Sequence, residues 1–384
     1  MKIIVLGCGF HGRGIAYELS ESLPDADILV ADKIGSRAQA VAEKIDCQWL
    51  ELDIHDAAAL RSALTDGSLV FNGVGPYHYK ESGLRVVDAA IKEAVPCVDM
   101  SDDHEVAEAL LLNTDWDKRA KDAGIAVITG TGIAPGVTGM MAKLGYQTLD
   151  STDSIDIRFS WNYSLEYPAA LQHFFRISSG QAPQFINAEY VRPGAFAEPE
   201  LVEFLEPVGI KEVSYSGIND PVSLSVSLPG LTRVTAKGAY HQPRANDLLS
   251  SMIRWGFTSY DPLPGETLAP FEYLMQHLMS DQGRGTFDIP MEPIPMAARA
   301  TVRGYLNGKP KCLNYEAHDF SRRATTSAAA RVAVLLVNGK LEFTGVRAPE
   351  GCVDPSLFLK DLAEHPDIKF YAWDEESQSQ PLVF

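Results

Sequence analysis

The sequence lacks the long apolar runs and paired cysteines that mark membrane-spanning and disulfide-bonded proteins. It contains no run of about eighteen or more apolar residues, the length that a transmembrane helix requires. Its 5 cysteines include no CxxC pair, so neither a disulfide framework nor a zinc site is expected. The apolar N-terminal segment is soon interrupted by glycines and predicts a strand rather than a signal peptide. We therefore expect a cytoplasmic protein with no membrane partner and no metal.

Basic residues are scarce relative to acidic ones. The chain carries 33 Lys and Arg residues against 51 Asp and Glu residues, which gives a formal net charge of -18. No extended Lys/Arg cluster offsets this charge locally, so the protein would repel a phosphate backbone. Nucleic acid is therefore not an expected partner.

The first 130 residues alternate short apolar strands with helical segments, as parallel βαβ units do. The predicted strands span residues 2–6, 27–31, 47–50, 69–72, 97–99 and 126–128. The predicted helices span about 12–22, 36–45, 57–64, 82–93 and 114–123. This order predicts an α/β fold that begins with a doubly wound parallel sheet, the Rossmann fold.

Beyond residue 130 the strands become half polar, with the two-residue alternation typical of antiparallel sheets. A helix is predicted at about 136–145, and strands at 154–161, 222–228, 233–236 and 297–307. Thr325–Val337 is apolar on nearly every side and predicts a helix buried between the domains, after which the chain returns to the first domain. We expect residues 1–130, completed by 321–384, to form the Rossmann domain. Residues 131–320 then form an α+β domain, with a mainly antiparallel sheet, for substrate binding and oligomerisation.

A glycine-rich loop, Gly7-Cys8-Gly9-Phe10-His11-Gly12, joins the first predicted strand to the first helix. In this context the loop predicts a dinucleotide-binding site. Gly7 permits the tight turn, Gly9 lets the backbone approach a pyrophosphate, and Gly12 lets the helix pack against its strand. Free N–H groups at the start of the helix, at Phe10 and His11, then bind the phosphates.

Acidic residues after the next two strands bear on the choice of cofactor. Asp32 ends the second strand and is placed to accept hydrogen bonds from the adenosine ribose hydroxyls. Its charge would repel a 2′-phosphate, which favours NAD. Lys33 and Arg37 follow at once and could neutralise such a phosphate, so NADP stays open. Asp53, after the third strand, is placed to reach the adenine or else faces water as a loop carboxylate.

The fourth strand ends in Asn72-Gly73-Val74-Gly75-Pro76-Tyr77-His78-Tyr79. Ligands of open parallel sheets bind beyond the carboxyl ends of the strands, so Gly73–Pro76 is predicted to face the nicotinamide. Tyr77, His78 or Tyr79 is then placed to donate a proton, with wall or core packing as the alternative for each.

Four carboxylates follow the fifth strand within seven residues, those of Asp99, Asp102, Asp103 and Glu105. Like charges this close raise one another's pKa values, which suits general acid or base chemistry on an amine. Capping of the next helix by Ser101, Asp102 or Asp103 is the alternative.

Several of these segments together resemble the saccharopine dehydrogenase-like family. They are the loop from Gly7 to Gly12, Asn72-Gly73-Val74-Gly75-Pro76-Tyr77, Val87-Asp88-Ala89-Ala90, Val98-Asp99-Met100-Ser101 and Gly132-Ile133-Ala134-Pro135-Gly136. The segments at 326–330 and 345–351 extend the similarity almost end to end. The resemblance implies reversible hydride transfer between a nicotinamide cofactor and a carbon bearing nitrogen, in an amine, amino acid or imine. It also implies oligomerisation through the middle-domain sheet, and we expect a homodimer.

This chemistry requires a base that titrates near neutrality and a dry pocket. The candidates lie on segments expected to converge on the cleft between the domains, and they are Asp103, Tyr77, Asp99, His78 and His241, with the first two preferred. The carboxylate of an amino acid calls for a guanidinium group. The middle domain offers Arg176, Arg233, Arg244 and Arg303, of which Arg244 has the most loop-like surroundings. Trp161 is an aromatic candidate for substrate contact, with core packing as its alternative.

Two other functions stay open on the sequence. A nucleotide-binding regulator without catalysis would have no need of the titratable residues at the strand ends. A carbonyl reductase whose substrate lacks nitrogen would share every feature of the first domain.

Overall fold

The structure is a computed structural model that describes residues 1–75, 80–161, 168–241, 244–280, 294–321, 323–374 and 380–382. The predicted residues Pro76, Tyr77, His78 and Tyr79 therefore lie outside the described part of the chain. No helix in these ranges is long and apolar enough to cross a membrane.

The N-terminal segment forms a parallel sheet with helices on its faces. Its strands are β1 Lys2–Leu6, β2 Asp27–Asp32, β3 Gln48–Glu51, β4 Leu69–Asn72, β5 Cys97–Asp99 and β6 Ala126–Ile128. Its helices are α1 Phe10–Ser22, α2 Gly35–Ile45, α3 Ala57–Leu64, α4 Lys80–Lys92, α5 His104–Ala107, followed by a π-helical turn at Glu108–Leu112, and α6 Thr114–Asp122. The strand order is β15-β6-β5-β4-β1-β2-β3, where β15 is Gly345–Arg347. This is the predicted Rossmann sheet with one further strand at its edge.

The second sheet contains ten strands among the described residues. They are β7 Ser151–Trp161, β8 Gln184–Ile186, β9 Glu189–Val191, β10 Glu200–Glu203, β11 Ile210–Tyr215, β12 Arg233–Tyr240, β13 Met296–Leu306, β14 Lys309–Asp319, β16 Ile368–Asp374 and β17 Gln380–Pro381. Its pairings are antiparallel except for β12 with β7, which run parallel. The predicted fold class, a Rossmann sheet plus a mainly antiparallel sheet, is confirmed.

Helices complete the second half of the molecule. They are α7 Val137–Thr148, α8 Pro168–Ile177, α9 Asp220–Ser227, α10 Ala245–Arg254, α11 Pro270–Met279, α12 Ala324–Val337 and α13 Pro355–Ala363, with a 3-10 turn at Pro349–Gly351. Helix α7 packs against β13 and β14, and its Met140 and Met141 are fully buried among the apolar residues of the second sheet. The same apolar cluster includes Val5 and Phe71 of the first sheet, so one core spans both sheets.

The prediction of a strand at 222–228 is wrong, because residues 222–227 belong to α9 and Leu228 is its C-cap. The alternation of Val222, Leu224 and Val226 with serines resembles a strand, but Pro221 lies in the first turn of a helix, where its missing N–H group costs nothing. Val222 and Leu224 are buried but Val226 is exposed. The alternating apolar residues therefore do not share one buried face, as they would in a strand.

The C-terminal region divides between the two sheets. Helix α12 is mostly buried and packs on α1, where Arg323 and Ser327 both bind Glu18. Strand β15 extends the Rossmann sheet by pairing with β6. Strand β16, however, pairs with β14 of the second sheet. The sequence pattern predicted that residues 321–384 complete the Rossmann domain and did not include this pairing. Helix α12 and strand β15 are thus the C-terminal elements that pack with the first sheet and its helices.

Candidate active site

The glycine loop connects β1 to α1 through close backbone contacts. Gly7 has a φ of +90°, and a Cβ atom there would lie 2.5 Å from the carbonyl oxygen of Gly73. A Cβ atom on Gly12 would lie 1.8 Å from the carbonyl oxygen of Gly7. Since no side chain fits at either position, glycine is required for the loop to pack against both α1 and the β4 loop.

The same loop leaves room for an anionic ligand at the start of α1. Gly9 is the N-cap residue, and no side chain caps the helix. A Cβ atom on Gly9 would meet nothing within 4 Å. An uncapped helix N-terminus with open space in front of it favours a bound phosphate, through its N–H groups and the helix dipole. The loop therefore fits the pyrophosphate of a dinucleotide.

Asp32 is held at the carboxyl end of β2 by two backbone donors. The N–H groups of Cys8 and Ile34 donate to its two carboxylate oxygens, each at 2.8 Å. Glu51, at the end of β3, lies beside it, since the two residues are partners in the parallel register of β2 and β3. Two carboxylates thus flank the place where the adenosine ribose of a dinucleotide binds in this fold.

The other predicted residues of the adenosine end are more exposed. Lys33 is exposed, and so is Asp53, whose Oδ1 accepts the N–H of His55 within its own turn. At the nicotinamide end, the N–H of Gly73 donates to Leu6 O at 2.8 Å, which fixes the start of the β4 loop against β1. Val74 donates its N–H to Asn72 Oδ1 at 3.3 Å, and Gly75 is exposed with nothing within 4 Å of an added Cβ atom.

Asp99 is buried where β5 meets the loop after β6. Its Oδ1 accepts the hydroxyl of Thr129 at 2.9 Å and the backbone N–H groups of Ser101 and Gly130 at 2.9 and 3.1 Å. Burial raises the pKa of this carboxyl to about 6, and the nearby Asp102 charge adds to the effect. These three donors hold Asp99 as a structural link between two loops of the site.

Asp103 presents a carboxylate oxygen without a partner. The side chain is 2% exposed, and its Oδ1 accepts the N–H of Glu105 and so caps α5. Its Oδ2 is buried and makes no hydrogen bond. Burial raises the pKa of Asp103, and the neighbouring imidazole of His173 opposes this rise. The helix-capping alternative therefore holds for Oδ1, whereas Oδ2 takes no part in the cap.

A cavity of about 590 Å³ lies between this loop and the second domain. Asp103, Glu105 and Glu108 line it from the first domain, and Arg176 and Arg192 line it from the second. Arg176 binds Glu105 at 2.5 Å, and Arg192 binds Glu108 at 2.9 Å. The cavity therefore offers both carboxylates and guanidinium groups to a ligand.

Helix α8 brings His173 to the loop after β5. The sequence pattern did not single out this histidine. The Nε2 of His173 lies 2.8 Å from Asp102 Oδ2. Burial is the largest single influence on the pKa of His173 and lowers it, but the carboxylates of Asp102 and Asp103 together outweigh burial, so the pKa is raised. His173 and Arg176 are three residues apart and so lie on one face of α8, a helix that the sequence pattern did not predict.

The remaining predicted residues lie elsewhere in the second domain. Both ring nitrogens of His241 are occupied, Nδ1 by Ser160 Oγ at 3.2 Å and Nε2 by the carbonyl oxygen of Pro295 at 2.9 Å. Burial lowers the pKa of this imidazole to about 4. Trp161 stacks on Phe159, with ring centroids 4.0 Å apart. Arg244 is exposed at the start of α10.

Of the other arginine candidates, Arg233 and Arg303 both pair with Asp156 on the second sheet. Only Arg176, among the four, lines the cavity beside Asp103. Among the described residues, no group of three or more His, Cys, Asp or Glu side chains is arranged to hold a metal ion.

Comparison with known proteins identifies the first domain. Residues 3–128 match the family model of the saccharopine dehydrogenase NADP binding domain. The predicted resemblance is confirmed. The same match confirms the predicted binding of NAD(P) by the Rossmann domain, with NAD and NADP taken together.

Two full-length comparisons extend the similarity to the second domain. The chain is 21% identical over 397 residues to carboxyaminopropylagmatine dehydrogenase from Synechocystis sp., covering 94% of this chain and 95% of that protein. It also superposes on apo saccharopine dehydrogenase (L-Glu forming) from Saccharomyces cerevisiae with a TM-score of 0.70 and 15% identity, covering 97% of this chain and 99% of that one. At this identity the second comparison shows a shared fold.

Proposed function

We propose that the protein transfers a hydride between NAD(P) and the C–N carbon of a carboxylated amine, either an amino acid or a polyamine-type compound. The cavity beside Asp103 carries this proposal, because it joins the strand ends of the Rossmann sheet to a lining of both carboxylates and guanidinium groups. Such a lining complements a substrate with both ammonium and carboxylate groups. The Synechocystis relative, whose name denotes a carboxylated amine substrate, supports the same class.

The proposed reaction needs a neutral substrate nitrogen. Bound NAD(P) would supply the hydride acceptor or donor. During oxidation the nitrogen lone pair forms the C=N bond as the hydride leaves carbon. Water then adds to that carbon, and the C–N bond breaks to give a carbonyl compound and an amine. Asp103 suits this chemistry because its free Oδ2 is buried and burial raises its pKa.

We assign narrower roles to the other candidates. Tyr77 and His78 remain proposed proton donors on their position after β4. Asp99 is proposed as a positioning residue, since three donors share its Oδ1. His241 has no free ring nitrogen to exchange a proton, and Arg176 replaces Arg244 as the proposed ligand of a substrate carboxylate.

We propose NAD as the preferred cofactor. Asp32 and Glu51 place two negative charges where NADP carries its 2′-phosphate, whereas the exposed Lys33 and Arg37 make no ion pair with either among the described contacts. Repulsion between like charges disfavours the phosphate.

The test is the absorbance of reduced cofactor, measured with NAD and with NADP against lysine, saccharopine, diamines and carboxylated secondary amines. We expect turnover with at least one of these amines and release of a nitrogen-containing product. If the protein turned over only aldehydes or hydroxy acids, the proposal would be wrong and the alternative function, a carbonyl reductase, would be supported. Cofactor binding with no turnover on the whole panel would favour the non-catalytic regulator.

We also propose that the protein is a cytoplasmic homodimer that associates through the second domain. The support is the broad second sheet, which has α7 on one face. Light scattering after size-exclusion chromatography tests the assembly, and a monomer mass at micromolar concentration would contradict it.

A further inference from the structure

Helix α8 of the second domain docks on the loop after β5 through two ion pairs. His173 binds Asp102 at 2.8 Å, and Arg176, one turn later, binds Glu105 at 2.5 Å. The side chains of His173 and Asp102 are 20% and 22% exposed. Two further contacts fix the same loop, a backbone bridge from Asp103 to Ile218 and a hydrogen bond from Asn219 Nδ2 to Ser101 O at 2.9 Å. The histidine is therefore held against the carboxyl end of the Rossmann sheet.

The other nitrogen of the His173 ring is uncommitted. Its Nδ1 is buried and makes no hydrogen bond. The same is true of Nδ1 of His11, which lies in the glycine loop. The charges of His173 and Asp102 both act on His11, so the three side chains share one small region. This region joins the glycine loop, the β5 loop and α8, where the nicotinamide and the substrate of a Rossmann enzyme meet.

We propose that His173 is a catalytic residue that exchanges a proton with the substrate nitrogen through Nδ1, and that Asp102 is the positioning residue that holds its ring through Nε2. This inference rests on the proposed function. A ring nitrogen fixed by a carboxylate, with the opposite nitrogen free, is the arrangement that orients an imidazole for proton transfer. Asp103, on the same loop, is then left to bind the substrate in the cavity.

In oxidation, neutral His173 takes the N–H proton as the nitrogen lone pair forms the C=N bond and the hydride passes to the oxidised nicotinamide cofactor. Water adds to the C=N carbon and gives one of its protons to the nitrogen. The proton held by His173 returns to that nitrogen as the C–N bond breaks, and the hydroxyl proton is lost to water as the carbonyl group forms. In reduction, protonated His173 donates a proton to the nitrogen of the intermediate.

The pH dependence follows from the groups that face His173. Burial, Arg176 and the neighbouring His11 disfavour its charged form, whereas Asp102 and Asp103 favour it. The net effect raises the pKa of His173 above its ordinary value. Oxidation should therefore gain rate as the pH rises through this pKa, and reduction should lose rate over the same interval.

The test compares His173→Gln with Asp102→Asn and with His365→Gln as a matched control remote in the chain. Gln at 173 keeps a donor for Asp102 but cannot exchange a proton. We expect kcat to fall about 100-fold or more in His173→Gln. The Kd for NAD should stay unchanged, and the pH-dependent limb of kcat should disappear. In Asp102→Asn the limb should move to lower pH, and His365→Gln should match the wild type.

An NMR titration of the His173 ring, in the protein without substrate, supplies a second readout. We expect Asp102→Asn to lower the pH at the midpoint of this titration. Wild-type turnover together with a normal rate and pH limb in His173→Gln would overturn the inference and leave the proposed function standing. If Asp103→Asn, rather than His173→Gln, abolished the pH-dependent limb of kcat, the proton transfer would belong to Asp103 and the inference about His173 would be wrong. A wild type without turnover on any amine would overturn both proposals.

Discussion

Gly9 and Gly12 lie three residues apart, but added methyl groups would meet different surroundings. On Gly12 the methyl would collide with the Gly7 carbonyl, whereas on Gly9 it would enter open space. We expect Gly12→Ala to lower the free energy of unfolding by about 1–3 kcal/mol. Gly9→Ala should keep the wild-type Tm but weaken NAD binding, because its methyl stands where the pyrophosphate passes.

Thermal denaturation and fluorescence titration with NADH separate these two effects. Each variant is the control for the other. Equal affinity for NADH in Gly9→Ala and the wild type would contradict the proposed position of the pyrophosphate.

Asp32 is expected to control the choice between NAD and NADP. In Asp32→Ala the ribose loses a charged acceptor, a loss of about 1.5–3 kcal/mol, so the Kd for NAD should rise about 10- to 100-fold. The Kd for NADP should change less or fall, because a repulsive charge is removed. Titration of both cofactors checks this, with the exposed Asp25→Ala as control. An unchanged ratio of the two Kd values would remove the argument for NAD.

At the residue scale the sequence predicted positions well where a motif specifies them. The roles of the glycines follow from local sequence, and the structure shows why no side chain fits at Gly7 or Gly12. The carboxylates after β5 were predicted as a group, but their sequence spacing did not reveal their separate partners. Asp99 is held by Thr129, and Asp102 by His173, across 30 and 71 residues of chain.

At the element scale, helix α9 places a buried carboxylate against α7. Asp220 is fully buried at the start of α9, and its Oδ1 accepts the hydroxyl of Thr138 at 2.5 Å. Burial raises the pKa of Asp220 to about 7, and the buried Glu350 charge opposes its ionisation further. The folded protein therefore holds a proton here that the unfolded chain releases near pH 4.

Stability should consequently fall as the pH rises from about 4 towards and through 7, and Asp220→Asn should remove part of this fall. At pH 8 the variant should be more stable than the wild type by at least ~1 kcal/mol, since it avoids a buried charge while Asn keeps an acceptor for Thr138. At pH 5 the difference should be small. Urea denaturation at both pH values measures this, and a variant less stable at pH 8 would contradict it.

Element boundaries were predictable where packing and local pattern agree. Strands β1, β4, β5 and β6 have the predicted bounds, because buried strands of a parallel sheet are short continuous apolar runs. The strand predicted at 222–228 was wrong because an alternating pattern of apolar and polar residues is also compatible with a short helix. Helix α9 buries only its first turns, so its apolar residues need not follow the helical period throughout.

At the scale of the whole molecule, the Rossmann sheet depends on residues from the far end of the chain. A fragment of residues 1–130 lacks β15 and also α12, which covers α1. We expect this fragment to unfold without a cooperative transition, because α1 would expose the apolar face that α12 buries. Joining residues 1–130 by a linker to residues 321–363 should restore cooperativity.

Circular dichroism melts of the two fragments and of the full chain provide the measurement. A cooperative transition in residues 1–130 alone would show that the C-terminal segment is not needed for the first domain.

The sequence by itself determined the βαβ alternation, the glycine loop and the acidic end of β2, because these depend on residues close together in the chain. Only the tertiary structure decided that α9 is a helix, that β16 joins the second sheet, and that His173 meets Asp102. Contacts of this kind depend on how the elements pack, since burial and ion pairing are set by neighbours in space rather than in sequence. The cofactor end of the site can therefore be predicted from the sequence, because a single motif contains it. The substrate end depends on how the two domains pack, and the sequence pattern does not specify that packing.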